Sequence, residues 1–264
     1  MEQFAVVLDE YQAPPLEKLA ILFQAICGLP KLDATTKAAR AAGIVAERLD
    51  REAAQRLQAA LGNLKFPARL VPQSLVPSTV KGRRVQLVQA DAEHFGVRWM
   101  LTGKPQKYLW TDVLVISAGV VFQTAKEQIL KTVENTGLMA QGSGGKSTST
   151  EIIQRDASRD VAMATITLGR APQQLETLRL RAPELEYLTM FGAEGVRPSA
   201  LQNFCLLLAR IGTQASTAHI TNETIELIAA GNDSPRLPRS PRFESEEAFD
   251  HYQRWLVTNS LSSC

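Results

Sequence analysis

Apolar and polar positions recur along this chain with two different periods, and the change falls near residue 80. Phe4 to Leu8 is an unbroken apolar run closed by Asp9-Glu10, the pattern of a buried strand. After Pro14-Pro15, the residues Leu16, Leu19, Ala20, Phe23, Ile26 and Cys27 recur at spacings of three and four, which predicts a helix with one apolar face. Proline suits its first turn, and Gly28 suits its left-handed C-terminal cap. A second helix is expected over 34–42, capped by Asp33 and stopped by Gly43, followed by a short strand over 44–49. Asp50 is positioned to cap a third helix that buries Ala53, Ala54, Leu57, Ala60 and Leu61 and is closed by Gly62-Asn63. Phe66 to Val71 completes the sheet, and Pro67 requires an edge position or the first residue of the strand.

Residues 72–80 are turn-prone and read as a linker. Beyond them the period shortens to two. Runs at 85–88, 97–101, 109–116, 120–122 and 161–168 predict strands, 175–181 alternates, and 185–190 reads as one more strand. Pro198-Ser199 opens a helix with Leu201, Phe204, Cys205, Leu208 and Ile211 on its buried side, and Asn222-Glu223-Thr224 reads as another helix start. A final helix, 245–256, carries Phe249, Tyr252, Trp255 and Leu256 as a docking stripe. The expectation is an α+β chain. A β-α-α-β-α-β domain (1–72) precedes a mostly antiparallel β domain capped by a helix (80–230), with a long insertion at 123–160. A Pro/Arg linker and C-terminal helix (231–264) follow.

Composition narrows the function classes. With 45% hydrophobic and 21% charged residues the chain can bury a real core, and a net charge of +2 gives no global pull toward nucleic acid. The three cysteines are widely spaced and form no CxxC or Cys/His cluster, so neither structural zinc nor any other cofactor is expected. The first residues lack the basic and apolar stretches of a signal peptide, and no apolar run approaches the roughly 18 residues of a membrane span. A cytoplasmic, reduced protein is the expectation.

Two stretches resemble known families. Phe4-Ala5-Val6-Val7-Leu8, then Glu17-Lys18-Leu19-Ala20-Ile21 through Cys27-Gly28-Leu29, with Asp50-Arg51-Glu52-Ala53-Ala54 and the strand closing at Val71, resembles the C-terminal domain of the bacterial ribosomal stalk protein. That resemblance covers residues 3–72 and implies the element order above. The family recruits translation factors through lysines of its second helix, so the resemblance marks Lys31, Lys37 and Arg40 as candidate protein-contact residues, with Asp33 as a departure. Leu109-Trp110-Thr111-Asp112-Val113 followed by Ile116 and Gly119-Val120-Val121, with Ser199 to Phe204 opening a helix, is similar to bacterial pleckstrin-homology-like domains. This implies a bent antiparallel sheet plugged by a helix. The basic cluster of lipid-binding members is represented only by the scattered Lys81, Arg83, Arg84 and Arg98.

The remaining motifs carry chemistry only in the right context. Ala140 to Ser147 fits a relaxed nucleotide loop, with Gly145, Lys146 and Ser147 as candidate phosphate contacts. Such a loop must join a buried strand to a helix, whereas these flanks are polar, and the run reads instead as a Gly/Ser loop within the insertion. His94, His219 and His251 are far apart, and Glu93-His94 on a strand would point to opposite faces, so no catalytic residue is assigned. Pro235 to Arg242 reads as a semi-rigid spacer whose three arginines, with no interleaved aromatics, give no expectation of nucleic-acid binding. The sequence therefore points to a non-catalytic protein-interaction or regulatory module. A nucleotide-binding enzyme using residues 140–147 and a peripheral lipid-binding protein are the alternatives.

Overall fold

The structure is a computed structural model that describes residues 2–135, 147–169, 174–233 and 242–263. The first part runs β1 (Phe4–Leu8), α1 (Leu16–Cys27), α2 (Lys31–Ala39), β2 (Ile44–Leu49), α3 (Arg51–Asn63) and β3 (Ala68–Pro72). The three strands form an antiparallel sheet in the order β2-β1-β3. All of β1 is buried because both its faces are covered. Phe4, Val6 and Leu8 pack with Leu19, Phe23, Leu57 and Leu61 of the helices. Ala5 and Val7 face the other way, into a core shared with the far end of the chain. The period of two along the strand thus feeds two cores.

Local signals explain most of the helix ends. The Asp50 carboxylate accepts the Ala53 N–H at 2.8 Å, the expected cap of α3. Gly28 takes φ +66°, the left-handed cap of α1. Helix α2 departs from expectation. It starts at Lys31 after Pro30, so Asp33 lies inside its first turn and caps nothing, and it ends at Ala39 rather than Ala42. Proline at the entry presets the first turn, which is why the helix begins three residues early. The left-handed residue after α3 is Lys65, not Gly62.

The second sheet comprises β4 (Arg83–Ala90), β5 (His94–Trp99), β6 (Pro105–Leu109), β7 (Val113–Asn135), β8 (Ser147–Leu168) and β9 (Glu176–Arg181), with short β10 (His219–Ile220) and β11 (Arg242–Phe243) on the edge of β7. Its order is β10-β7-β8-β9-β4-β5-β6. Antiparallel pairs dominate, and β4–β9, β10–β7 and β11–β7 are parallel. The expected strand over 109–116 is broken by a 3-10 turn at Trp110–Asp112, where the Trp110 indole donates to the Asp91 carbonyl at 2.9 Å. Residues expected as a strand at 185–190 instead enter helix α4 (Tyr187–Gly195), a short apolar run whose period alone does not separate the two states. The expected insertion at 123–160 is, over its described part, a continuation of β7 and β8 in paired register.

Helices cover both faces of this sheet. On one, α5 (Ala200–Gln214) buries Leu201, Phe204, Cys205, Leu208 and Ile211 against Ile116, Ala164, Ile166 and Leu178, with α6 (Asn222–Asp233) beside it. On the other lies α7 (Glu246–Ser263), capped by the Ser245 hydroxyl, which accepts the Ala248 N–H at 3.1 Å. Phe249, Tyr252, Trp255, Leu256 and Val257 of α7 pack with Val115, Val121, Val161 and Met163 of the second sheet and with Ala5, Val7, Ile44 and Val71 of the first. The expected docking stripe therefore docks within the chain, between two sheets. The 72–80 connection joins the same core through Val76 and Val80.

Helix α7 comes so close to the first sheet that one position must be glycine. A Cβ on Gly43 would lie 2.7 Å from Tyr11 and 2.8 Å from the Trp255 ring, and φ there is +70°. Gly28 has nearly the same φ but nothing within 4 Å. Gly43→Ala is expected to cost about 1–3 kcal/mol more than Gly28→Ala, the excess being overpacking against α7. Urea unfolding of the two variants reads that difference, and the wild type is expected to unfold in one transition because the two sheets share a core.

Candidate functional site

Helix α2, strand β2 and helix α7 enclose an open cleft of about 470 Å³. Its apolar wall is Ala41, Ile44, Val45 and Ala46, and its polar rim is Asp33, Thr36, Lys37, Arg40, Glu47 and His251. The chain reaches this arrangement through the turn after α2. The Gly43 N–H donates to the Gln12 carbonyl (3.2 Å) and its carbonyl accepts the Leu8 N–H (2.7 Å), which locks β2 beside β1. The last turn of α2 then stands over β2.

The floor is held by one ion pair. Arg254 of α7 grips the Glu47 carboxylate with both terminal nitrogens, at 2.7 and 2.5 Å, and its Nε donates to the Pro77 carbonyl at 2.6 Å. Gln73 adds a hydrogen bond to Glu47 at 3.1 Å. Burial raises the Glu47 carboxyl, but the Arg254 hydrogen bonds and charge outweigh it and hold it below its ordinary value. One turn earlier on α7, His251 places Nδ1 3.3 Å from the Tyr11 hydroxyl. Burial first, and then the Arg254 charge, lower its pKa, so the ring is neutral near pH 7. Burial pushes the Tyr11 phenol up to about 12, so it also stays protonated.

Of the candidate contact residues, the structure brings Lys37 and Arg40 to the cleft and leaves Lys31 exposed at the start of α2. The Lys37 ammonium sits 5.3 Å above the Phe23 ring, which orients it without neutralising it. Among the described residues none of the three has an ion-pair partner within 4.0 Å. Leu32 is 77% exposed beside them. With Glu47 neutralised by Arg254, the rim is basic over an apolar wall.

The other candidates are scattered. Gly145 and Lys146 lie outside the described residues. Ser147 opens strand β8, opposite Asn135 of β7, so the 140–147 segment connects two antiparallel strands and is not followed by a helix. His94 and Glu93 do approach, to 4.0 Å, with Asp91 at 3.6 Å. Glu93 belongs to the bend before β5, so alternation of faces does not apply to it, and the group is largely exposed on a turn. His219 sits on the short β10, far from both in sequence. Cys205 is packed between α5 and α6, donates to the Leu227 carbonyl at 3.3 Å, and has its thiol pushed up to about 11 by burial, the opposite of an activated nucleophile. Of the Pro/Arg stretch only Arg242 is described, and it pairs with Asp160 at 2.7 Å. Among the described residues no three His, Cys, Asp or Glu side chains gather to hold a metal, and no helix is long and apolar enough to cross a membrane.

Sequence reasoning missed a second ionic cluster at the other end of α7. Arg179 and Arg181 alternate with Leu178 and Leu180 on β9, so they read as a solvent face, yet they are 5% and 6% exposed. Arg179 bonds Glu246 at 2.9 Å and also Asp250, while Arg181 bonds Glu184 at 2.6 Å and also Gln123. The signal was present in the acidic first turns of the last helix. These charges fasten α7 to the sheet beside an open cavity of about 380 Å³ lined by Arg84, Arg181 and Glu246.

No family model, curated protein or solved structure matches this chain.

The two titrating groups of the cleft set a pH dependence. A histidine with a lowered folded pKa binds fewer protons folded than unfolded, so stability falls as pH drops below its ordinary value of 6.5. Glu47, lowered in the fold, contributes stability above its ordinary value of 4.5 that is lost as pH falls further. Urea unfolding is expected to weaken in two steps on acidification, and His251→Gln to flatten the first while leaving the second. An unchanged upper step in that variant would assign it elsewhere.

Proposed function

We propose that this chain is a non-catalytic protein-recognition module whose contact surface is the exposed face of α2 and the cleft beneath it. The observation that carries this reading is the pairing of an apolar concavity with cations, Lys37 and Arg40, that are left without ion-pair partners among the described residues. An acidic segment with one or two apolar side chains complements that surface, the cations steering it and the Ala41–Ala46 wall receiving its apolar groups. The resemblance of residues 3–72 to the ribosomal stalk C-terminal domain points the same way, since that family makes its contacts through its second helix. Three groups of the cleft are not tuned for chemistry: the histidine is neutral, its hydroxyl partner stays protonated, and the Glu47 carboxylate is bound by arginine.

The test is charge reversal on α2. A tagged wild-type chain is expected to retain a specific protein from its own cells at moderate salt. Lys37→Glu with Arg40→Glu is expected to weaken that retention about tenfold or more, with melting temperature and circular dichroism unchanged. Equal recovery by the wild type and the double variant would remove α2 as the contact surface.

A further inference from the structure

The hairpin of β5 and β6 ends in a turn whose composition the fold does not account for. Trp99 and Lys104 close it: the Trp99 N–H donates to the Lys104 carbonyl at 3.0 Å, and the Gly103 N–H donates to the Trp99 carbonyl at 2.8 Å. Gly103 takes φ +66°, and the Met100 N–H is tied to the Arg84 carbonyl of β4 at 3.1 Å. Turns of this kind are ordinarily built from small and polar residues. This one carries Met100 and Leu101, which are 41% and 99% exposed. Leu101 is thus as open to water as in an extended chain, and the hydrogen bonds around it hold it there.

A single exposed leucine needs no explanation by itself. The surroundings of this one are what single it out. Residues 94–111 contain Arg98, Lys104 and Lys107 and no acid, and β4 beside them contains Arg83 and Arg84 and no acid. Strand pairing gathers these cations behind the turn. Arg98 lies opposite Pro105, next to Lys104, and Lys107 lies opposite Gly96. Phe95 and Val97 are buried in the core, so Arg98 and Lys107 stand on the opposite face of the hairpin. Arg83 is on the core side, 4.4 Å above the half-buried Trp99 ring and bonded to Glu176 at 2.6 Å. Among the described residues Arg98, Lys104 and Lys107 have no ion-pair partner within 4.0 Å. Asp91 and Glu93 sit in the turn before β5, and that strand alone spans roughly 17 Å at the usual rise per residue.

We infer that this turn is a contact for an anionic membrane surface: Met100 and Leu101 enter the bilayer, and Arg98, Lys104 and Lys107 meet lipid phosphates. The order of residues along the hairpin matches the order of layers in a membrane. The apolar pair leads. Trp99 follows, its indole N–H held by Gln106 at 3.0 Å, and tryptophan settles at headgroup level. The cations come next, on both faces of the hairpin, where anionic headgroups attract them. A bilayer surrounds an inserted tip with anions on every side, whereas a partner protein would need a socket shaped to a convex tip ringed by charge. The acidic turn at the other end of β5 makes the approach directional, since a negative surface repels that end. The contact is a different surface from the first hairpin of pleckstrin-homology-like lipid binders, whose counterpart here, between β4 and β5, carries Asp91 and Glu93.

Vesicle sedimentation with the full chain tests this, using phosphatidylcholine vesicles with and without about one-third phosphatidylserine. Wild type is expected to pellet with the anionic vesicles, to stay in solution with the neutral ones, and to be released as salt is raised. Met100→Ser with Leu101→Ser, and separately Arg98→Glu with Lys104→Glu, are each expected to lower the partition coefficient about tenfold or more. All of these positions are exposed, so the melting temperature is expected to stay at the wild-type value. With Cys27 and Cys264 replaced by serine, an environment-sensitive dye on Leu101→Cys is expected to shift to the blue on anionic vesicles, and the same dye on Ala92→Cys is not. A wild type that ignores anionic lipid, a serine variant that pellets as the wild type does, or a dye at position 101 that stays in water would each overturn the inference. Loss of a retained protein by the serine variant, with no vesicle binding by either form, would give the turn to a protein partner instead.

Discussion

The burial of α7 between two sheets is the interaction on which the rest of the molecule depends. Each sheet has one face covered by its own neighbouring helices and would leave the other bare. Helix α7 covers both bare faces at once, with Phe249, Tyr252, Trp255 and Leu256 in contact with strands from the two ends of the chain. Two of its polar groups find partners, one on each side: the Trp255 indole donates to the Leu8 carbonyl at 2.8 Å, and Gln253 donates to the Ser117 hydroxyl at 2.7 Å. Buried donors that find partners only in this pose give the packing a single orientation, where apolar contact alone would tolerate several.

The cleft is a product of that same packing. Its apolar wall and cations come from α2 and β2, while His251 and the arginine that immobilises Glu47 come from α7. A ligand seated there touches elements that meet only when α7 is docked, so binding and docking support each other by linkage. The buried arginines of β9 act at the opposite end of the helix, where Glu246 and Asp250 hold its first turn down. Such pairs fix geometry more than they add stability, since desolvation offsets most of their attraction.

Much of the N-terminal domain was legible because its signals are local. The apolar run 4–8, the spacing of Leu19, Ala20 and Phe23, the Gly28 cap and the Asp50 cap each act within a few residues, and the structure shows all of them. What the sequence hid depends on distant partners. Nothing local says that Arg179 and Arg181 lie under an acidic helix turn, or that the polar stretch after Phe122 continues as a paired strand. The β6 strand went unseen because Pro105, Gln106 and Lys107 make an exposed edge with no alternation to read. Of the site, the cations of α2 were legible, but the cleft was not, since Glu47 and His251 are brought together only by tertiary packing.

The contact between Leu8 and Trp255 joins positions 247 apart in the chain. During synthesis the face of β1 that carries Ala5 and Val7 therefore lacks its α7 cover until the residues around Trp255 have emerged. At ordinary elongation rates of 5–20 residues per second that interval is roughly ten to fifty seconds. For all of it the first sheet has its helices on one side and a face without α7 on the other. The central helix thus leaves a sheet formed early in this chain to be completed only by a segment made more than 200 residues later.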